Sequence, residues 1–278
     1  MKEHNNRKIA DKYAEFITSK ALRVFLAEKV REYLGDRTLS VFDGAVGSGQ
    51  LEQFIQVKSI TGVDIQQQAI DAFKENYGDR AIGIVSNLFD VIDDIPDDFD
   101  CVVMNPPFSL KMEKPVNGMP YVKKTGLLDE YFYVLASMKA RFSFFICFPG
   151  VGYRRTEQKM RSYFGNAVAE LITIDNGFDD TSISTLLVVI DREKTDDNVS
   201  VARYDCKKVQ YTVQPRPEKL DIENWNVARE EVAREEIDIV ALTRELRGIH
   251  KKNIKLLQEF DDLVISLMTD EQRGALEL

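Results

Sequence analysis

The stretch Leu39-Ser40-Val41-Phe42-Asp43-Gly44-Ala45-Val46-Gly47-Ser48-Gly49 decides the fold class. A short apolar strand ends in an acidic residue and enters a glycine-rich turn, after which a helix is expected. Glycines accept positive φ and let a ligand approach the backbone closely. In a doubly wound α/β fold, a nucleotide-like cofactor binds at such a turn, beside the free amides of the helix N-terminus. The plainer interpretation is a tight strand-to-helix turn without a ligand.

Strand and helix signals alternate downstream of this turn and predict a parallel, doubly wound, Rossmann-like α/β sheet. Upstream, residues 8–34 carry apolar side chains at helical spacing, and Thr18 or Ser19 is expected to interrupt that run as a helix N-cap. The connection 175–184 is too short for a crossover helix, so the last two strands are expected to pair antiparallel. The predicted strands cover 59–64, 81–85, 100–104, 142–148, 168–174 and 185–190, and the predicted helices cover 66–77, 127–139 and 156–163.

Beyond residue 192 the character of the chain changes. A polar link and two short strand candidates precede a long charged helix, which is expected within 227–268. We therefore predict three parts: an α/β domain at 1–192, a linker with short strands at 193–226, and a C-terminal helical segment at 227–278.

Composition argues against several kinds of chemistry and location. With only two histidines, His4 and His250, neither a histidine base nor a histidine metal cluster is expected. The three cysteines are far apart and form no CxxC pair, which favours a reducing, cytoplasmic location and no zinc site. No apolar run is long enough to span a membrane, and the polar N-terminus lacks the apolar core of a signal peptide.

The second strand candidate ends in Gly62-Val63-Asp64-Ile65. Asp64 lies about twenty residues beyond the first glycines, where a carboxylate can accept hydrogen bonds from both hydroxyls of a ribose. The alternative role is a helix N-cap, because a helix is expected to begin directly after it.

The most specific feature is Asp100-Cys101-Val102-Val103-Met104-Asn105-Pro106-Pro107-Phe108, a strand that ends in Asn-Pro-Pro-Phe. Two successive prolines remove two backbone donors and fix φ at both positions, so nearby carbonyls face the site without intrachain partners. The Asn105 side-chain oxygen and the Pro106 carbonyl can then accept hydrogen bonds from one amino group, and Phe108 can stack on the ring that carries it. The alternative is a proline turn that only ends the strand.

Taken in this order, the glycine-rich turn, Asp64 and the Asn-Pro-Pro-Phe motif closely resemble the amino-methylating DNA methyltransferases with the gamma arrangement of motifs. The resemblance covers roughly residues 10–190. Phe16-Ile17-Thr18-Ser19 looks like the N-terminal motif of that arrangement, with Ser19 in place of the usual proline. Segments 147–155 and 177–190 are similar to the modification subunits of type I restriction systems, whose additional N-terminal helical domain is not expected here.

The resemblance implies S-adenosylmethionine as the cofactor and adenine in DNA as the substrate, in the modification enzyme or subunit of a restriction-modification system. Asn87 stands where the family usually has Asp, and it is either a purine contact or only a turn residue. The residues implied at the target amine are Asn105, Pro106, Pro107 and Phe108, and those implied in cofactor binding are Thr18, Asp43, Ala45, Gly47, Asp64, Ile65, Asn87, Leu88, Phe89 and Asn105.

Binding to DNA is the difficult part of this interpretation, because the net charge of −9 opposes phosphate binding. The target adenine must also be flipped out of the stack, at a cost of a few kcal/mol. Two basic segments can supply a local positive face, and each is alternatively a solvated charged loop. Their residues are Lys111, Lys123 and Lys124 after the Asn-Pro-Pro-Phe motif, and Arg154 and Arg155 further along.

The C-terminal helix carries a heptad pattern that predicts a coiled coil with a second copy of the chain or with a specificity subunit. Such a partner would also explain how an acidic chain reaches a defined DNA site. The alternative is that the apolar stripe folds back on the catalytic domain. The seam comprises Ile239, Leu242, Leu246, Ile249, Asn253, Leu256, Phe260, Leu263 and Leu267.

Two other functions are consistent with the pattern. An Asn-Pro-Pro-aromatic motif recognises a planar amino group, so an RNA or protein-glutamine methyltransferase is an alternative, and so is a non-catalytic cofactor-binding subunit. The Phe16–Ser19 motif and the type I-like segments favour DNA, and the intact Asn105–Phe108 motif favours catalysis.

Overall fold

The computed structural model of the chain describes residues 17–108, 110–111, 116, 118–121, 127–214, 225 and 239–269, with side chains in the last range from Thr243 onward. Residues 8–16 of the predicted N-terminal helical run lie outside this part of the chain. Within it, the strands are β1 (Leu39–Asp43), β2 (Val57–Asp64), β3 (Ala81–Val85), β4 (Phe99–Met104), β5 (Ala140–Cys147), β6 (Val168–Asp175), β7 (Thr185–Asp191), β8 (Ser200–Asp205) and β9 (Gln210–Val213).

These strands form one sheet in the order β3-β2-β1-β4-β5-β7-β6-β8-β9. Strands β1 to β5 pair parallel, whereas β7 runs antiparallel between β5 and β6. The prediction of a doubly wound α/β sheet with an antiparallel last strand is therefore confirmed. The two short strands expected in the linker are β8, parallel to β6, and β9, antiparallel to β8, and they extend the same sheet.

Local capping chemistry sets the start and the end of the first helix. The first helix begins after Ser19, whose hydroxyl accepts a hydrogen bond from the amide of Leu22 at 3.3 Å, and it ends at Gly35 with φ 75°. Ser19 is thus the predicted N-cap. The helices are α1 (Lys20–Leu34), α2 (Gln67–Tyr77), α3 (Leu88–Val91), α4 (Asp129–Ser137), α5 (Gln158–Phe164) and α6 (Ile239–Leu267).

Two apolar layers cover the two faces of the sheet. Successive side chains of a strand point to opposite faces, and accordingly Val41 belongs to one buried cluster and Phe42 to the other. The first cluster includes apolar residues of α1 and α2, and the second includes those of α3, α4 and α5. Both faces are covered, as expected for a parallel sheet, so the edge formed by the strand ends is left for a ligand.

The helix expected directly after the glycine-rich turn does not form. Residues 50–55 make successive turns, with hydrogen bonds from the Gln53 amide to the Gln50 carbonyl and from the Ile55 amide to the Glu52 carbonyl. The physical reason is length, because β2 begins at Val57 and leaves too few residues for a helix and its return. Binding by free amides at a helix N-terminus is therefore not the arrangement at this turn.

The chain divides into two compact units, residues 1–228 and 229–278. The second unit contains α6, whose described side chains from Thr243 onward are mostly exposed. The seam positions Ile239 and Leu242 lie outside the described side chains. Within the described residues, no helix has both the length and the apolar character needed to cross a membrane.

Candidate cofactor and substrate site

A cavity of about 280 Å³ lies at the carboxyl ends of the central parallel strands. It collects residues from distant parts of the sequence because parallel strands end at the same edge of a sheet. All of the residues predicted to bind the cofactor line this one cavity, namely Thr18, Asp43, Ala45, Gly47, Asp64, Ile65, Asn87, Leu88, Phe89 and Asn105.

The glycine-rich turn forms one wall of the cavity and contains two residues with positive φ. Gly47 has φ 53° and Gly49 has φ 74°, a conformation that L side chains rarely adopt. A Cβ at Gly49 would also come within 2.7 Å of the Tyr77 and Phe73 rings on α2. The glycines therefore let the turn pack against α2 while its backbone faces the cavity.

Asp43 lies at the end of β1 and is almost fully buried, with 1% of its surface exposed. Its Oδ1 accepts a hydrogen bond from the amide of Ala45 at 2.7 Å, which shapes the turn. Its side chain also faces a second acidic residue, which is described below. Asp43 thus presents a carboxyl group to the part of the cavity next to the turn.

Asp64 ties the turn to the end of β2. Its Oδ2 accepts from the amide of Gly47 at 3.0 Å, and its Oδ1 accepts from the amide of Gln66 at 2.8 Å. The N-cap of α2 is Gln66 and not Asp64, so the simple capping role is not the one observed. A carboxylate has about four acceptor positions, so accepting from these two amides is compatible with contacts to ribose hydroxyls.

The residues that follow β3 also line the cavity. Asn87 is the N-cap of α3, where its side chain accepts from the amide of Phe89 at 3.1 Å. It is therefore a turn residue, and it also lines the cavity. The Phe89 ring packs on Phe132 at 4.8 Å between centroids, and both line the cavity, which supplies an apolar surface suited to a purine.

Asn105 is held by one end of its amide only. Its Nδ2 donates to the hydroxyl of Thr18 at 3.3 Å, while its Oδ1 is buried and has no hydrogen-bond partner among the described residues. A buried acceptor without a partner costs roughly 1–3 kcal/mol. This arrangement leaves a carbonyl oxygen ready for a donor from a bound molecule.

The remaining residues of the Asn105–Phe108 motif separate into two groups. Pro106 and Pro107 line the cavity with Asn105. Phe108 is not one of the lining residues; it is buried, and its ring packs against Phe148 and Phe178, each at 6.4 Å between centroids. Stacking of Phe108 on a ligand therefore requires a different position of this side chain.

The two basic segments are only partly arranged for phosphate contact. Arg154 forms ion pairs with the buried carboxylates of Asp129 and Glu157, each at 3.4 Å, and its guanidinium lies 5.0 Å from the Phe148 ring centroid. Arg154 is thus engaged inside the fold. Arg155 and Lys111 are exposed, whereas Lys123 and Lys124 lie outside the described residues.

Sequence reasoning missed Glu52, which lies in the turns after Gly49 and has no exposed surface. It faces Asp43 within hydrogen-bonding reach, and burial raises the pKa of Glu52 to about 7. Burial also raises the pKa of Asp43 well above its ordinary value, and the nearby charge of Glu52 raises it further. Nothing in the spacing indicates this contact, because the segment was expected to be a helix.

Comparisons with known proteins agree with this architecture. Residues 25–119 match the methyltransferase small domain family. No curated protein matches the sequence of the chain at a significant level.

Three solved structures of low sequence identity share the fold. A type I restriction-modification methyltransferase subunit from Streptococcus thermophilus matches with a TM-score of 0.58 and 18% identity, over 74% of this chain and 50% of that one. A structure concerned with complex assembly and conformational transition of the type I restriction-modification system matches with a TM-score of 0.56 and 13% identity, over 95% of this chain and 68% of that one. A Listeria monocytogenes protein described as a class I S-adenosylmethionine-dependent methyltransferase matches with a TM-score of 0.55 and 13% identity, over 75% of this chain and 71% of that one.

This chain spans about half the length of the Streptococcus subunit that it matches. The cavity fits an S-adenosylmethionine molecule chemically, since buried carboxylates suit a cation, Asp64 suits a ribose and Phe89 suits a purine. The chain therefore has the fold of an S-adenosylmethionine-dependent methyltransferase, and its family match implies S-adenosylmethionine as the cofactor.

Proposed function

We propose that this protein transfers a methyl group to the exocyclic amino group of adenine in DNA, as the modification enzyme or subunit of a restriction-modification system. The observation that carries the proposal is Asn105, whose buried Oδ1 has no partner among the described residues and lies beside two prolines at the rim of the cofactor cavity. An acceptor of this kind is suited to an N–H donor. The free thiols of all three cysteines agree with a reducing cytoplasm as its location.

The main task of the protein in this reaction is to position the adenine amino group for methyl transfer. The adenine amino group is a poor nucleophile because its lone pair is conjugated with the ring. Asn105 Oδ1 and the Pro106 carbonyl would accept its two N–H groups and favour a more tetrahedral nitrogen, which would lose one N–H proton to water as it takes up the methyl group. The cofactor supplies an electrophilic methyl on a sulfonium. Preorganised acceptors and correct orientation then account for most of the rate.

DNA is favoured over other amino-bearing substrates by the resemblance of the Phe16–Ser19 motif and of the segments at 147–155 and 177–190 to DNA-modifying subunits. The flipped base would lie over Asn105, and Phe108 would stack on it after leaving its contacts with Phe148 and Phe178. Such stacking contributes on the order of 1–3 kcal/mol. The exposed Lys111 and Arg155, with Lys123 and Lys124, would contact phosphates.

The partner would meet α6. Its described seam positions are exposed apolar side chains with Asn253 among them, as in a coiled-coil surface. A contiguous apolar stripe of this length is rarely left exposed on a monomeric soluble protein. The structural neighbour that concerns assembly of the type I system matches over 95% of this chain. We therefore propose a specificity subunit as the partner, with a second copy of the chain as the alternative.

The test is transfer of a labelled methyl group from S-adenosylmethionine to DNA, to RNA and to a glutamine-containing protein, offered separately and in competition. Digestion of the DNA to nucleosides should yield N6-methyladenosine in its deoxy form, and the Asn105→Ala variant should yield none. Label found in RNA or in protein but not in DNA would instead indicate an RNA methyltransferase or a protein-glutamine methyltransferase. If the chain binds the cofactor but transfers no methyl group, either alone or with a partner subunit, the result would favour a non-catalytic cofactor-binding subunit.

A further inference from the structure

Asp43 and Glu52 form a carboxylate pair that the transfer chemistry does not use. Asp43 lines the cavity, and Glu52, which is not one of the lining residues, faces the Asp43 side chain. Both Oε1 and Oε2 of Glu52 are buried without a hydrogen-bond partner among the described residues. Two ionised carboxylates cannot donate to each other, whereas one proton between them lets one donate to the other.

The surroundings of the pair do not neutralise it. Burial raises the pKa of Asp43, Tyr77 and Cys101. The charge of Asp64 adds to this effect at Asp43, and the charge of Glu52 adds to it at Tyr77 and Cys101. Burial raises the pKa of Glu52, and no basic side chain of the described residues lowers it. Two unpaired negative charges in this place are therefore costly, and the pair is expected to hold one proton when no cation is near.

The cofactor and its product differ in charge at one atom. S-adenosylmethionine carries a permanent sulfonium cation, and S-adenosylhomocysteine carries a neutral thioether. A cation within about 4–6 Å of a carboxylate lowers its pKa by 1–3 units. The shared O–H bond then breaks, and the proton leaves through the cavity to water without any redox change. The pair gains a second negative charge only when the cation is bound.

We propose that Glu52 makes this cavity select the cationic cofactor over its neutral thioether product, by sharing a proton with Asp43 in the empty site and giving it up when the cation binds. Glu52 acts through Asp43, so it is a positioning and selectivity residue. The inference rests on the implied cofactor and not on the identity of the methyl acceptor.

The test is titration calorimetry of the full chain with S-adenosylmethionine and with S-adenosylhomocysteine, in buffers of different ionisation enthalpy at pH 6, 7 and 8. We expect proton release, up to one per molecule bound, with the cationic ligand and less with the product. The preference for the cationic ligand should rise by about fivefold between pH 6 and 8, as a pKa change of about one unit from about 7 implies. The same titrations with RNA or DNA absent keep the result independent of the substrate.

Glu52→Gln keeps the size and a donor toward Asp43 but cannot share a proton, and Glu28→Gln makes the same change at an exposed position on α1. Glu52→Gln should release fewer protons than the wild type with the cationic ligand, and its preference should vary less with pH, whereas Glu28→Gln should behave as the wild type. Equal proton release by the wild type and Glu52→Gln, or by the two ligands, overturns the proposal. Failure to bind either ligand overturns the cofactor and this inference together, while binding without methyl transfer to DNA overturns only the proposed substrate.

Discussion

The side-chain amide of Asn105 donates from Nδ2 to the hydroxyl of Thr18 at 3.3 Å, although the two residues are 87 positions apart in sequence. Thr18 is itself held in place, because it forms an antiparallel bridge with Phe178 and because the next amide, of Ser19, donates to the Gly177 carbonyl at 2.9 Å. The segment before α1 therefore determines which end of the Asn105 amide remains available, and the available end is an acceptor.

Asn105→Ala removes that acceptor and should lower the rate of methyl transfer by about 10²-fold or more, since loss of one preorganised hydrogen-bonding group has this effect in other enzymes. Cofactor affinity should change little, because the Oδ1 acceptor is assigned to the target amine. Calorimetry measures the affinity and label transfer measures the rate. A large loss of cofactor binding in a folded variant would show that Asn105 serves mainly the cofactor.

Thr18→Val removes the hydroxyl that orients Asn105 while keeping the branched shape. We expect the rate of transfer at saturating cofactor to fall by about 2- to 10-fold, as the loss of one neutral hydrogen bond of 0.5–1.5 kcal/mol implies. Thr18→Ser is the matched control, because it restores the hydroxyl and should recover most of the rate. If Thr18→Ser is as slow as Thr18→Val, the hydroxyl does not position Asn105.

The sheet and the cavity could be predicted from the sequence because their signals are local. Apolar strands such as Leu39–Asp43 and Phe99–Met104 end at the same edge, so the polar residues that follow them must meet. A rule about strand ends is enough to bring Asp43, Asp64 and Asn105 together, and the structure places all three around one cavity.

The side-chain partners inside this frame could not be predicted in the same way. Arg154 is engaged by Asp129 and Glu157, Phe108 packs against Phe178, and Glu52 faces Asp43. Each contact depends on how a loop returns to the sheet, and loops carry no periodic signal. The absence of a helix after Gly49 is the same kind of effect, because the length of the loop overrode the usual pattern.

Asp64→Ala should weaken S-adenosylmethionine binding by on the order of 1–3 kcal/mol, because charge-assisted hydrogen bonds to the ribose would be lost. Since Asp64 also accepts from Gly47 and Gln66, thermal unfolding must show that the variant is folded. Asp71→Ala, which removes an exposed carboxylate bonded to Gln67 on α2, is the control and should bind normally. An unchanged dissociation constant in folded Asp64→Ala would exclude the ribose role.

Glu52 should make the stability of the protein depend on pH. Its pKa in the folded chain is raised from 4.5 to about 7, so the folded state binds a proton more tightly than the unfolded state. The resulting stability is present below pH 4.5 and is lost as the pH rises through 7, by up to about 1.4 kcal/mol per pH unit. Denaturant unfolding between pH 5 and 8 should show a fall in the wild type that is smaller in Glu52→Gln. Parallel profiles for the two proteins would contradict the raised pKa.

Removal of residues 236–278 should leave cofactor binding intact and abolish association or sequence-specific methylation, because the exposed seam of α6 is proposed to bind a partner helix. A sharper pair of variants is available, since Leu256 and Leu257 are both 62% exposed but only Leu256 lies on the seam. Leu256→Glu should disrupt assembly, measured by sedimentation with and without a specificity subunit, whereas Leu257→Glu should not. Equal behaviour of the two variants would exclude a heptad interface.

The truncation has two outcomes that contradict the prediction. If the truncated chain keeps its oligomeric state and modifies the same sites at the same rate, α6 is not an assembly element. If the truncation destabilises the catalytic unit, the apolar stripe packs on its own chain.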